Sequence, residues 1–295
     1  MRFSEKTIRT FIKMKTVIVG VMVIQGTILS SAQGAEGIEV QLIPETESIQ
    51  PGADFSVGIR FLMGEGKHIY WKNPGDSGLP TEITWKLPQG FHVIETQWPF
   101  PRKFEQAGDV TFGYENEVIF ITRISAPRIL KPGIRVMLSA HFKWLLCSEM
   151  CIPGETNLKL GLRVENKTPL LRTEWISQFQ IARHNMPQKS DKFVMHALLR
   201  DQIIQLQLSS LNRNLQDVKD VAVFPEQERI IDYDSDQKLI MNENGVMIDL
   251  PLSQYMQKPP SVFKGVLVLR TGRNPADAHA LYFDVPLNFD RGDSK

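Results

Sequence analysis

Two cysteines, Cys147 and Cys151, are all that the 295-residue chain contains. A tetrahedral zinc site needs four ligands, and no second pair is present to complete one. Charge of one sign is also missing: 34 Lys and Arg stand against 33 Asp and Glu, with no basic stripe of the kind a nucleic-acid surface uses. No nucleic-acid partner is therefore expected. Residues 191–295 hold no cysteine, no glycine-rich phosphate loop and no cluster of His or carboxylates, so no chemistry is expected there, and neither a cofactor nor a resident metal is expected anywhere. Long hydrophobic runs are absent after the first 35 residues, and nothing beyond them reads as a membrane span.

Those first residues have the pattern of a secretory signal peptide. Arg2, Lys6, Arg9, Lys13 and Lys15 form a basic stretch, Val17 to Leu29 is a short apolar core broken by Gln25, and Ser30-Ser31-Ala32-Gln33-Gly34-Ala35 offers small residues for cleavage after Ala32 or Ala35. Met14 is an alternative start. The core is shorter than the ~20 residues of a spanning helix, which favours cleavage over anchoring. Residues 1–35 are thus expected to be removed, leaving a soluble chain outside the cytosol, where disulfides persist.

What is present is a great deal of β pattern. Eighteen prolines and twenty glycines punctuate short alternating runs, which points to an all-β fold. Strands are expected at Ile38–Ile43, Phe55–Phe61, Thr81–Leu87, Phe91–Thr96, Val118–Ile124, Ile134–Trp144 and Leu158–Val164. Between them, Asn73-Pro74-Gly75-Asp76-Ser77-Gly78 reads as a tight loop, and residues 102–117 as a long loop or hairpin tip. Thr168-Pro169 resembles a helix start, with helical apolar spacing at Leu171, Trp175, Ile176, Phe179 and Ile181. Further strands are expected at Phe193–Leu199, Ile203–Leu208, Val218–Phe224, Val246–Leu250, Val262–Leu269 and Ala280–Val285. About 260 residues exceed one typical core, which suggests two domains. The division is a first sandwich over 36–166, a helical linker over 167–190 and a second sandwich over 191–295.

The cysteines sit at the end of the longest alternating run, followed by Ile152 and an expected turn at Pro153-Gly154. Extended chain would hold them about 13 Å apart, whereas a disulfide needs Cα atoms within about 7 Å, so Ser148-Glu149-Met150 must turn back for them to bond. The ring so closed is small, and the chain-entropy model gives it only about 2 kcal/mol, less than a staple between distant strands. A close pair on a strand end suits opening and closing, because exchange needs one accessible sulfur and a second nearby to resolve the mixed disulfide. An inert structural disulfide and a soft Cu(I) set of Cys147, Met150 and Cys151 with His141 remain open alternatives.

Several stretches resemble a known family. Trp144-Leu145-Leu146-Cys147-Ser148-Glu149-Met150-Cys151-Ile152-Pro153-Gly154-Glu155 resembles the cysteine signature of the periplasmic N-terminal region of DsbD-type protein-disulfide reductases, in particular the ScsB-like branch. Tyr70-Trp71-Lys72-Asn73-Pro74-Gly75-Asp76-Ser77-Gly78-Leu79-Pro80, Gln97-Trp98-Pro99 and Phe112-Gly113-Tyr114-Glu115 match further motifs of that branch in order, and Phe263-Lys264-Gly265-Val266-Leu267-Val268 resembles its second β domain. The resemblance implies two immunoglobulin-like β-sandwich domains, joined here by a short helix. It implies a periplasmic module that relays electrons, in processes such as cytochrome c biogenesis, from a membrane-embedded thiol reductase of the DsbD/CcdA type to periplasmic thioredoxin-fold proteins. Carried over, Cys151 attacks and Cys147 resolves, although the family's better-known member spaces its pair more widely. An aromatic cap shields the sulfurs in that member; by position Phe104 is the candidate here, with Phe112 and Tyr114 as alternatives. The family's membrane and thioredoxin-like domains do not follow before Lys295, so electrons are expected from separate proteins. A non-catalytic envelope binding module with a structural disulfide, or a copper-handling protein, is the alternative function.

Overall fold

The computed structural model describes residues 31–33, 37–106, 108–210, 215–243, 245–272 and 277–290. The expected leader lies outside these residues except for Ser31–Gln33, a short strand β1. Among the described residues twelve strands precede the helix: β1, β2 (Ile38–Pro44), β3 (Ser48–Ile49), β4 (Asp54–Met63), β5 (His68–Gly75), β6 (Glu82–Lys86), β7 (His92–Gln97), β8 (Arg102–Gln106), β9 (Asp109–Glu115), β10 (Glu117–Ser125), β11 (Arg135–Cys147) and β12 (Cys151–Val164). They form two sheets, ordered β1-β2-β4-β10-β7 and β3-β12-β11-β5-β9-β8, with β6 also paired to β11. The expected period of two is what closes this sandwich. On β4 the odd residues from Phe55 to Met63 are buried, and on β11 the even residues from Val136 to Leu146. The two sets meet around Phe61, whose ring stands edge-on to Phe120 at 5.8 Å, Phe142 at 6.2 Å and Trp144 at 5.7 Å.

After the helix come β13 (Phe193–Arg200), β14 (Ile203–Ser210), β15 (Asp220–Pro225), β16 (Lys238–Asn242), β17 (Gly245–Pro251), β18 (Val262–Arg270) and β19 (Ala278–Phe289). Their order is β15-β18-β19-β13-β14-β17-β16. β19 pairs with β18 as far as Pro286 and with β13 from Leu287. A strand that changes partners in this way turns the corner between two layers, whose buried faces carry Val223, Phe263 and Leu267 on one side and Ile204, Leu206 and Ile248 on the other. Among the described residues the fold is all-β and sandwich-like, with one short α-helix.

Two local expectations change, and one open choice is decided. Residues 168–172 are not helical: Glu47 N–H donates to Leu170 O at 2.9 Å and Arg172 N–H to Glu45 O at 2.9 Å, so this stretch is captured beside the chain after β2. A 3-10 turn at Thr173–Trp175 then leads into α1 (Ile176–His184), which buries Phe179 and Ala182 but leaves Ile181 exposed. Pro153-Gly154 is not a turn either. Pro153 pairs with Leu145 and Gly154 with Trp144 inside the β11–β12 hairpin. β12 meets β3 only at Arg163 and Val164, so its start is an edge where the missing proline N–H costs no ladder bond. Gly154 leaves room for the Trp144 indole, which a Cβ there would strike. Finally, of the two readings of residues 102–117 the hairpin is the one observed, with β8 paired to β9 and followed by the start of β10, and the long loop is not.

A redox-type disulfide under an aromatic hairpin

β11 and β12 are joined by Ser148–Met150 alone, and the ladder runs to its last pair, Cys147 opposite Cys151. The backbone therefore brings the two residues face to face, with Cα atoms 4.1 Å apart, and they are bonded. Ser148 N–H donating to Met150 O at 3.2 Å closes the turn. The two sulfurs differ in surroundings. Cys147 is 1% exposed, whereas Cys151 lies open, flanked by Met150 and Ile152, themselves exposed apolar side chains.

Cys147 is covered from β5. The backbone pairs His68 with Cys147, and strand alternation puts His68 and Tyr70 on one face while Ile69 and Trp71 enter the core. The Tyr70 hydroxyl donates to Cys147 Sγ at 3.0 Å and stands 3.8 Å from Cys151 Sγ. Its ring is held from below by Gly78, at φ 100°, where any Cβ would collide with it, and its carbonyl accepts from Thr81 Oγ1 at 2.8 Å. Burial, and then the charge of Asp109, push the phenol pKa up. Tyr70 therefore stays a proton donor at physiological pH.

The β8–β9 hairpin closes over this group. Phe104 stacks on the His68 ring with centroids 4.8 Å apart and planes 14° apart, and His68 meets Tyr70 edge-on at 5.3 Å. At the hairpin tip Gln106 Nε2 donates to Ser148 O at 2.9 Å, tying the hairpin to the cysteine turn. Asp76 anchors the other strand: its carboxylate accepts from Val110 N–H at 2.9 Å and its own N–H donates to Val110 O at 2.8 Å. Desolvation lowers the His68 pKa, against a smaller opposing pull from Glu115.

Of the residues singled out in the sequence, Cys147 and Cys151 are thus joined, and Phe104 reaches them through His68. Phe112 and Tyr114 lie elsewhere, on the core side of β9. Phe112 is 2% exposed and packs on Phe224 at 5.1 Å and Tyr233 at 4.8 Å, in the contact between the two halves. Tyr114 packs on Phe120 at 5.4 Å and donates to Pro99 O at 2.7 Å. His141 is distant in register, pairing with Asn157. His68, Tyr70 and Gln106 were not foreseen as site residues. The available signal was His68 and Tyr70 alternating with apolar Ile69 and Trp71, which marks a face that is buried yet polar. A cavity of about 850 Å³ does open between the halves, walled by Phe100, Phe112, Phe224 and Tyr233, but the sulfurs do not line it.

The stretch Asn73–Gly78, the end of β5 and the turn after it, has a second duty. Asn73 Nδ2 donates to Pro225 O at 2.8 Å, Tyr233 Oη at 3.1 Å and Gln227 O at 3.3 Å, while its Oδ1 accepts from Gly75 N–H at 3.0 Å. Lys72 pairs with Glu226 beside it. One turn thus carries both the support for Tyr70 and the bolt between the halves.

Residues 39–162 match the family described as the N-terminal region of the thiol:disulfide interchange protein DsbD. Over this stretch the chain is similar to that family. With a disulfide inside the matched segment, this likeness supports a thiol-disulfide exchange module. Among solved structures, the N-terminal periplasmic domain of ScsB from Proteus mirabilis aligns with a TM-score of 0.60 at 16% identity, covering 86% of this chain and 95% of that one. That likeness establishes a shared fold across both halves. The major pilin subunit BcpA of Bacillus cereus, at 11% identity over 81% of this chain and 59% of that one, reaches a TM-score of only 0.27 and carries no argument. No curated protein sequence matches the chain. Among the described residues no helix is long and apolar enough to cross a membrane.

Proposed function

We propose that this chain works in the periplasm as an electron relay, taking reducing equivalents from a membrane-embedded thiol reductase and delivering them to thioredoxin-fold proteins through Cys147 and Cys151. The observation that carries this reading is the asymmetry of the bonded pair: an exposed Cys151 sulfur joined to a buried Cys147 sulfur that receives the Tyr70 hydrogen bond at 3.0 Å. A donor thiolate has access to Cys151. Its attack forms a mixed disulfide there and breaks the Cys147–Cys151 bond, releasing Cys147 as a thiolate. The Tyr70 hydroxyl is already aimed at that sulfur, and hydrogen bonds to charged groups are worth about 1.5–3 kcal/mol. The donor's second thiol then displaces Cys151, so the module gains two electrons and two protons while the donor becomes a disulfide. Delivery runs the same path backwards: the Cys151 thiolate attacks the acceptor's disulfide, and Cys147 resolves the intermediate and re-forms the bond. Phe104 is the cap in this reading, acting through His68.

The test is covalent trapping. A Cys147→Ala chain, expressed in the periplasm, should accumulate as a mixed disulfide through Cys151 with a thioredoxin-fold partner, visible as a thiol-sensitive band identified by mass spectrometry. Cys151→Ala should form no such adduct. An inert structural bond would instead give no adduct from either variant, a wild-type pair that stays fully oxidised in cells, and a reduction potential below about −300 mV. That outcome would sink the relay.

A further inference from the structure

We infer that His68 is the latch of the β8–β9 hairpin: as a neutral imidazole it holds Phe104 down beside the disulfide, and its protonation releases the hairpin and opens the sulfurs. This regulates the site described above and therefore rests on the relay reading. Among the described residues His68 is the one imidazole between the hairpin and the cysteine turn. It is 8% exposed, lies flat against Phe104 and is paired through the backbone with Cys147 on one side and Glu115 on the other. The surrounding elements offer it little countercharge. β5 itself offers Tyr70, a neutral phenol against the ring edge. β8 offers Phe104, with Lys103 and Glu105 paired to each other at 3.1 Å. β9 offers Glu115, which is engaged by Arg102, and Asp109 at the hairpin end. The β11–β12 turn offers an uncharged disulfide and Glu149, which is exposed to solvent.

An imidazolium in this place would lose its hydration, and Glu115, already engaged by Arg102, offsets only part of that loss. Opening the hairpin restores the water. The part free to move is the hairpin tip with the edge strand β8, since β8 is the last strand of its sheet and, beyond the stack, the tip is tied to the cysteine turn only by the neutral Gln106–Ser148 bond, while β9 stays paired to β5 and anchored by Asp76. The sign follows from linkage. Closure depresses the imidazole pKa below its usual 6.5, so closure is at full strength above that value and weakens as pH falls through it. Acid should therefore expose the disulfide. Where the closed form is still neutral and the open form protonated, the open population should grow by up to about tenfold per pH unit.

Reduction by a phosphine reads the latch alone, because it needs no protein partner and no thiolate. The second-order rate of disulfide reduction by tris(2-carboxyethyl)phosphine would be measured from pH 7.5 to 5 for wild type and for His68→Phe, which keeps an aromatic stack but cannot titrate. The wild-type to variant ratio at each pH cancels the reagent's own titration. It should rise as pH falls below 6.5. A Phe104→Leu chain, folded by circular dichroism, should be reduced faster than wild type at pH 7.5 and show a flatter ratio. In wild type the imidazole proton resonances should titrate below 6.5 together with the Gln106 side-chain amide. A ratio independent of pH, or an imidazole that titrates without moving Gln106, overturns the latch. Either result leaves covalent trapping through Cys151 untouched, whereas failed trapping with a rising ratio would mean that the latch guards something other than a relay.

Discussion

At its start β5 delivers His68 and Tyr70 to a pair of sulfurs; at its end, five residues beyond His68, it delivers Asn73 into the contact with the other half of the molecule. Both ends bury polar groups, and burial is costly unless each group is paired. Asn73 is saturated: its amide donates to three acceptors and its oxygen accepts from Gly75. Tyr70 is spent on one sulfur of a bond that can break. A saturated network can only hold, whereas a hydroxyl aimed at a potential thiolate gains strength when the bond opens. Polar groups of one strand thus serve rigidity at one end and exchange at the other, with Gly78 bracing the Tyr70 ring from the turn that follows Asn73.

If the two ends are independent, the largest effect should come from the locking end and spare the chemistry. Asn73→Ala leaves Pro225 O, Gln227 O and the Gly75 N–H without their partner, and orphaned buried groups cost about 1–3 kcal/mol each before relaxation. A loss of about 3 kcal/mol in urea unfolding is expected, with the reduction potential of the Cys147–Cys151 pair unmoved. A shifted potential would show that the bolt and the redox site are one cooperative unit.

The contrast also explains what could be read in advance. β11 was visible because a strand with one face in the core must alternate, and it runs unbroken from Arg135 to Cys147. The same rule placed β4 and β10. Pro153-Gly154 misled because turn residues also suit an edge strand, and the space that Gly154 leaves is filled by Trp144 from the partner strand. The helix start misled because Thr168-Pro169 satisfies local capping rules, while backbone bonds to Glu45 and Glu47 decide the conformation. The cysteine pair was visible, being the chain's whole supply. Its neighbours were not. Tyr70 meets Cys147 across 77 positions and Asn73 meets Pro225 across 152, and no periodicity carries the register between strands so far apart. Phe112 and Tyr114 shared a motif with the site but belong to the core side of β9, a distinction that only sheet pairing makes.

At the exchanging end the expected effect is smaller and of the opposite kind. Tyr70→Phe keeps the ring between Gly78 and His68 and removes only the hydroxyl. Stability should change little, since a disulfide sulfur is a weak acceptor. The released Cys147 thiolate, however, loses a charge-assisted donor worth about 1.5 kcal/mol, so reduction by a dithiol at neutral pH should slow by roughly tenfold. Stopped-flow reduction of the two chains, with urea midpoints alongside, separates the outcomes. A rate unchanged within twofold would mean that Tyr70 only packs, and the two ends of β5 would then differ in degree rather than in kind.

The smallest effect should come from Lys72, which lies between the two ends and forms an ion pair with Glu226. The pair spans the halves, and in a dry interface it would rival Asn73. It is not dry: the side chains are 35% and 22% exposed, and Lys72 also lies 5.3 Å from the centre of the Trp71 ring. Water screens such a pair, and ordering a long lysine offsets part of the attraction, so exposed pairs contribute about 0–1 kcal/mol. Lys72→Met should therefore lower the urea stability by less than about 1 kcal/mol, with the loss shrinking further in 1 M salt, where charges are screened within about 3 Å. A loss as large as that of Asn73→Ala, persisting in salt, would move the bolt between the halves from the amide to the ion pair. In that case β5 would hold the second half by charge, and the saturated amide would be following the fit rather than making it.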